Sequence, residues 1–182
     1  MLGGTAAVAA GAAIWTAQSP STAPSDSRPA SAAEKNQQAN SLLQSALVQE
    51  QRQDSKGASH TYKRVVELDS GNKLAWYNLG VIAQWDGRTT DARAAYDKAL
   101  KADPGYTPAL YNKAMLLKSS DPDAALELLR RFLAADPKGA AAHLQLGHIL
   151  AEKHRDSEAK DEFRRAVAAN PSLRSQVSDQ FR

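Results

Sequence analysis

The chain has 182 residues, 24% of them charged, with a net charge of +3 and no cysteine. That length supports one domain, and the missing cysteines exclude a disulfide frame, a zinc knuckle and a thiol nucleophile. Lysine and arginine are spread along the chain, with Arg130-Arg131 and Arg164-Arg165 as arginine pairs, a pattern of solvated helix faces rather than of a nucleic-acid stripe.

In chain order, residues 1–17 come first, and Leu2 to Ala17 carries no charge and is dominated by Ala, Gly, Val, Ile and Trp. At 16 residues this run falls just short of the about 20 that span a bilayer, and it lacks the basic start of a secretory signal. Two readings stand: a membrane anchor or export signal, with Trp15 at the interface, or a flexible alanine-rich tail. Residues 18–30, rich in Ser, Pro, Thr and Ala, read as a disordered linker. Ser31-Ala32-Ala33-Glu34 has the form of a capping box, so a helix is expected to start there and run to about Gln53, ended by Asp54 to Gly57.

From Ala39 onward the chain repeats. Pro104, Pro137 and Pro171 are separated by 33 and 34 residues, with Ser70 in the equivalent place 34 before Pro104. Small residues recur at Ala46, Gly80, Ala114 and Gly147, and again at Ala58, Ala92, Ala125 and Ala159. A large residue recurs at Tyr62, Tyr96, Leu129 and Phe163, followed by Val65, Ala99, Phe132 and Ala166. The step between the two small columns is 12 in three units but 11 from Ala114 to Ala125, which places a one-residue deletion in the turn Lys118 to Asp121.

Each unit reads as a helical hairpin. Between Lys73 and Asp86 the apolar residues follow helical spacing, Gly87 breaks the run, and a second periodic run from Asp91 to Ala102 stops at Asp103-Pro104. Gly80 and Ala92 mark a close approach of the two helices, with Tyr96 expected to fill the wider gap toward the neighbouring unit. A single hairpin cannot bury both its faces, so such units stack.

Trp76, Leu79, Gly80, Ala92, Tyr96, Ala99 and Pro104 resemble the skeleton of the tetratricopeptide repeat. The unit holding Leu146, Gly147, Ala159, Phe163, Ala166 and Pro171 matches nearly as well. The third departs at Ala114 and Phe132, and the first at Leu42, Ala46 and Ser70. The resemblance implies an all-α, right-handed α-solenoid over residues 31–173, with hairpins at about 39–72, 73–106, 107–139 and 140–173. Residues 174–182 would form a short helical cap, in a segment Ser172 to Arg182 whose Leu173, Val177 and Phe181 make an apolar stripe at spacings of four.

In this family the first helices of successive hairpins line a groove that binds peptides or helices. On that basis Asn78, Asn112 and Gln145 form a candidate amide ladder at one level of the groove, suited to gripping a ligand backbone. Tyr77, Tyr111 and Trp85 are candidate aromatic anchors, Trp85 having packing under the turn at Asp86-Gly87 as its rival role. Met115 and His148 lie one turn further along, and Trp76 belongs to the structural column. The family's carboxylate clamp of Lys and Asn is absent, since Leu43, Leu47 and Pro108 occupy three of its places.

No enzymatic or cofactor constellation assembles. His143 and His148 are five apart, on different faces of one helix. Asp97, Glu127 and Glu158 fall on outer helix faces, without a phosphate loop or nucleophile elbow. The expectation is a non-enzymatic adaptor that binds a protein or peptide in its groove and is membrane-anchored or exported, or cytoplasmic if the N-terminal run is only a tail. The alternatives are a scaffold in an envelope assembly that self-associates through its C-terminal end, and an RNA-binding helical repeat.

Overall fold

A computed structural model of the protein describes residues 31–182. The apolar run and linker at residues 1–30 lie outside the described residues. The described chain forms eight α-helices in four hairpins: α1 (Ala32–Gln51) with α2 (Ser55–Leu68), α3 (Lys73–Trp85) with α4 (Thr89–Ala102), α5 (Thr107–Leu117) with α6 (Pro122–Ala135), and α7 (Ala140–Glu152) with α8 (Asp156–Ala169). Contacts are densest within each hairpin, and each second helix also packs on the first helix of the next, α2 on α3, α4 on α5, α6 on α7. This is an α-solenoid, in which every unit buries one face internally and one against its neighbour.

Local signals set the helix ends. At α1 the capping box forms as expected, Ser31 N–H donating to Glu34 Oε2 at 2.6 Å and Glu34 N–H to Ser31 Oγ at 3.3 Å. Its end differs from the reading above: Asp54 does not stop α1 but N-caps α2, its carboxylate accepting from Gly57 N–H at 2.9 Å, so Gly57 sits inside the first turn of α2. After the second helix of each hairpin a polar residue shapes the turn, three times between hairpins and once after the last. The side chains of Asp69, Asp103, Asp136 and Asn170, each just past a helix, accept from the backbone N–H two residues on, and this turn, rather than the proline alone, redirects the chain.

The turn inside each hairpin explains the deletion. Gln53, Gly87 and His154 occupy the same place in units one, two and four, and all three are left-handed, with φ of 62°, 72° and 57°. The third unit has no left-handed residue between α5 and α6; its chain turns through Lys118 to Ser120 and Asp121 N–H donates to Leu117 C=O at 2.7 Å. The missing residue is therefore the left-handed connector. A side chain there costs roughly 1–2 kcal/mol, which glycine avoids. His154→Gly is expected to stabilise the protein by about 1 kcal/mol, raising Tm by about 2–4 °C for a chain of this size; a thermal melt checks this, and an unchanged or lower Tm counts against it.

The core falls into two buried clusters, one from α1 to α4 around Tyr62 and Val65, the other from α3 to the C-terminus around Tyr96, Leu110, Leu129 and Phe163. Half-buried Trp76 packs against both, and its indole N–H donates to Ser70 C=O at 2.9 Å. The glycine column has a different partner from the one expected. A β-carbon at Gly80 would come within 2.5 Å of Tyr96 Cε1, and one at Gly147 within 2.7 Å of Phe163. Each large ring therefore seats on the glycine of its own hairpin, and Tyr96 also packs toward the next unit, in one cluster with Ala109, Leu110 and Ala114 of α5. In the third unit Phe132, which replaces a small residue, is accommodated by Gly139, whose missing side chain leaves room for the ring, and by Tyr111, 5.9 Å away between centroids.

After α8 the chain makes two 3-10 turns, Pro171–Gln176 and Asp179–Phe181, rather than an α-helical cap. The proline and the Asn170 side-chain bond to Ser172 favour a tight turn over a continued helix. Val177 and Phe181 are nonetheless buried, with the Phe181 ring 5.3 Å from that of Phe163. The apolar stripe is spent within the chain.

Candidate binding surface

The candidate residues all sit on first helices: Tyr77, Asn78 and Trp85 on α3, Tyr111, Asn112 and Met115 on α5, Gln145 and His148 on α7. Leu43 and Leu47 of α1, Tyr77 and Val81 of α3, and Tyr111 and Met115 of α5 are each half-buried, packed on the core with part of their surface open. Tyr77 is held edge-on by Tyr106 at 5.6 Å and tilted against Tyr96 at 6.1 Å. Burial pushes the Tyr77 phenol above its ordinary range and that of Tyr96 up to about 12, so both stay neutral hydrogen-bonding groups. His148 of α7 lies edge-on to Phe163 at 5.0 Å, and burial, aided by the Lys118 charge, lowers its pKa from the ordinary value.

The three amides do not form an open ladder. Asn78 is only 8% exposed, and its Nδ2 donates to the Tyr62 hydroxyl at 2.8 Å, which in turn donates to Glu50 Oε2 at 2.7 Å. Asn112, half-buried, donates to the Tyr77 hydroxyl at 3.2 Å, and Gln145 Oε1 accepts from Lys118 Nζ at 3.2 Å. Each bond ties a first helix to the unit before it. The recurrence of the amides at the fold's own period thus corresponds to a recurring seam between hairpins.

Trp85, by contrast, is 81% exposed at the end of α3. It does not pack under the turn at Asp86-Gly87, which is closed by Gly87 and by Arg88, paired with Asp86 at 2.9 Å and Asp91 at 2.7 Å. The equivalent residues Gln51, Ser119 and Glu152 are polar and exposed, so no neighbouring unit offers an apolar cover for the indole.

One buried pairing escaped the sequence reading. His143, 5% exposed in α7, bonds Glu162 Oε2 of α8 through Nδ1 at 2.6 Å and the Pro137 carbonyl through Nε2 at 3.1 Å, while Arg165 pairs with the other oxygen of Glu162 at 2.9 Å. This chain fastens α7, α8 and the preceding loop along a cleft of about 1140 Å³ between α6 and α8. The partners are 19 residues apart and off the repeat period, and no periodic pattern announces them. Among the described residues no group of His, Asp or Glu side chains is arranged to hold a metal ion. Asp97 and Glu158 are exposed and engaged by Lys113 and Arg155.

Family models for the tetratricopeptide repeat match residues 43–107 and residues 116–178. Among curated proteins, the human protein O-mannosyl-transferase TMTC3 is 27% identical over 124 residues, 65% of this chain and 13% of its own. The DnaJ homolog subfamily C member 3 of Rattus norvegicus is 34% identical over 87 residues, 47% of this chain and 17% of its own. The chain therefore spans under a fifth of the length of either relative. Among solved structures, MamA superposes with a TM-score of 0.68 at 22% identity, covering 79% of this chain and 84% of that one. PilW, described as a type IV pilus biogenesis factor, gives 0.65 at 24% identity, covering 76% of this chain and 64% of that one. At such identities the likeness is one of fold. The two repeat models together cover most of the described chain, and the protein belongs to the tetratricopeptide repeat family.

Proposed function

We propose that the protein is a non-enzymatic adaptor that holds an apolar-faced partner segment along α1, α3 and α5. One observation carries this reading: an 81% exposed indole, Trp85, one turn past half-buried Val81 on α3, the helix between α1 and α5, which carry the half-buried Leu43, Leu47, Tyr111 and Met115. Large aromatics flanked by partly covered apolar surface are the usual energetic anchors of protein interfaces. Stacked helices are already ordered, so little conformational entropy is lost on binding. Tyr77, Tyr111, Met115 and His148 would contribute contact area, with Asn78, Asn112 and Gln145 holding the helices that present it.

The test is capture of partners by the full chain from the source cell, beside Trp85→Ala. Partners held by the parent and weakened at least tenfold, about 1.4 kcal/mol, in a variant of unchanged Tm support the reading. An identical catch with both overturns it. Binding that falls steeply with salt would favour a nucleic acid instead.

We place the protein at a membrane through residues 1–17. No described helix is long and apolar enough to cross one, so the placement depends on that N-terminal run alone. Cell fractionation is expected to find the full chain with membranes and a chain lacking residues 1–17 in the soluble fraction; co-fractionation of both discards the anchor. Self-association through the C-terminal end is the weaker reading, because Val177 and Phe181 are already buried against α8.

A further inference from the structure

Away from the first helices, α8 and the two 3-10 turns border a half-open cavity of about 210 Å³. Its walls are apolar: Phe163 and Phe181, 5.3 Å apart between ring centroids, with Val167 and Val177. Its rim is cationic, formed by Lys160, Arg164, Arg174 and Arg182 with no acidic side chain among the lining residues. Two of these cations are already engaged. Arg164 pairs with Asp161 at 3.2 Å, and Arg182 pairs with Asp179 at 2.6 Å while its Nε–H donates to Val177 C=O at 2.8 Å. Lys160 and Arg174 have no ion pair among the described residues.

An apolar cavity with a few converging charges of one sign fixes both the body and the head of a ligand. The ligand must carry one negative charge at the mouth and an apolar tail inside. The space equals roughly seven water-sized groups at about 30 Å³ each, room for a tail of about seven carbons. We propose that this cavity binds a medium-chain aliphatic carboxylate, its tail against Phe163, Val167 and Phe181 and its head between Lys160 and Arg174. The site is separate from the surface of the adaptor reading, and its failure would leave that reading intact.

The experiment titrates the full-length protein with octanoate, and with 1-octanol and acetate as probes of tail and charge alone, read by calorimetry and amide NMR shifts. Octanoate is expected to perturb Val167, Val177 and Phe181 and to bind at least tenfold more tightly than either control. Lys160→Glu with Arg174→Glu, both at exposed positions, is expected to weaken it at least tenfold, while Lys160→Arg with Arg174→Lys retains it. Absence of shifts around the C-terminal turns, equal binding of 1-octanol, or full binding by the charge-reversed variant would overturn the proposal.

Discussion

Replacing Phe163 by alanine is expected to cost about 3–5 kcal/mol, the range for a large buried ring removed from the core. The ring is 2% exposed, seats on Gly147 of its own hairpin, and meets His148 at 5.0 Å and Phe181 at 5.3 Å. It therefore joins α7, α8 and the C-terminal turns at one point. Against a total stability of about 5–15 kcal/mol, that loss is too large for the last unit to absorb locally. Units of a stacked array contact only their neighbours, so damage at one end need not propagate. The fourth hairpin is expected to open while α1 to α4, with their own core around Tyr62 and Val65, stay folded. Hydrogen exchange is the discriminating measurement: fast exchange confined to α7, α8 and the C-terminal turns supports this, whereas uniform acceleration along the chain would show one cooperative block. A loss below about 1 kcal/mol would contradict the packing role itself.

The fold was legible because each hairpin restates the same constraints. Periodic apolar residues, a breaker and a small column recur, so an ambiguous unit such as the first is read by alignment with a clear one. The deletion between Lys118 and Asp121 could be placed by counting, yet its meaning needed backbone angles, since only φ identifies the lost residue as the left-handed connector. Pairings between side chains were not legible. That Tyr96 seats on Gly80, or that His143 meets Glu162, depends on rotamers and on the angle at which hairpins stack, neither of which leaves a trace in spacing. The exposure of Trp85 had a signal that went unread: its equivalents Gln51, Ser119 and Glu152 are all polar, leaving nothing to cover an indole.

The amide column shows most directly how periodicity misleads. Recurrence at the repeat length marks any position that does the same work in each unit, whether gripping a ligand or joining neighbours. The hydrogen bonds decide for Asn78, whose Nδ2 donates to a buried tyrosine at 2.8 Å. Asn78→Ala is expected to destabilise the protein by about 1–3 kcal/mol, because the Tyr62 oxygen loses its donor in a site water does not reach. Asn112→Ala, half-buried and with a longer bond of 3.2 Å, is expected to cost less, about 0.5–1.5 kcal/mol. A double-mutant cycle isolates the bond: with Tyr62→Phe as second substitution, the combined loss should fall short of the sum by at least about 0.5 kcal/mol. The same variants separate a seam from a ligand grip. If Asn78 acts at the seam, partner binding declines only as the folded fraction declines, in contrast to Trp85→Ala, which should lose binding at unchanged Tm. An Asn78→Ala protein that melts like the parent and still loses its partner would mean that the amide reaches the ligand, and that the Tyr62 bond gives way when the partner docks.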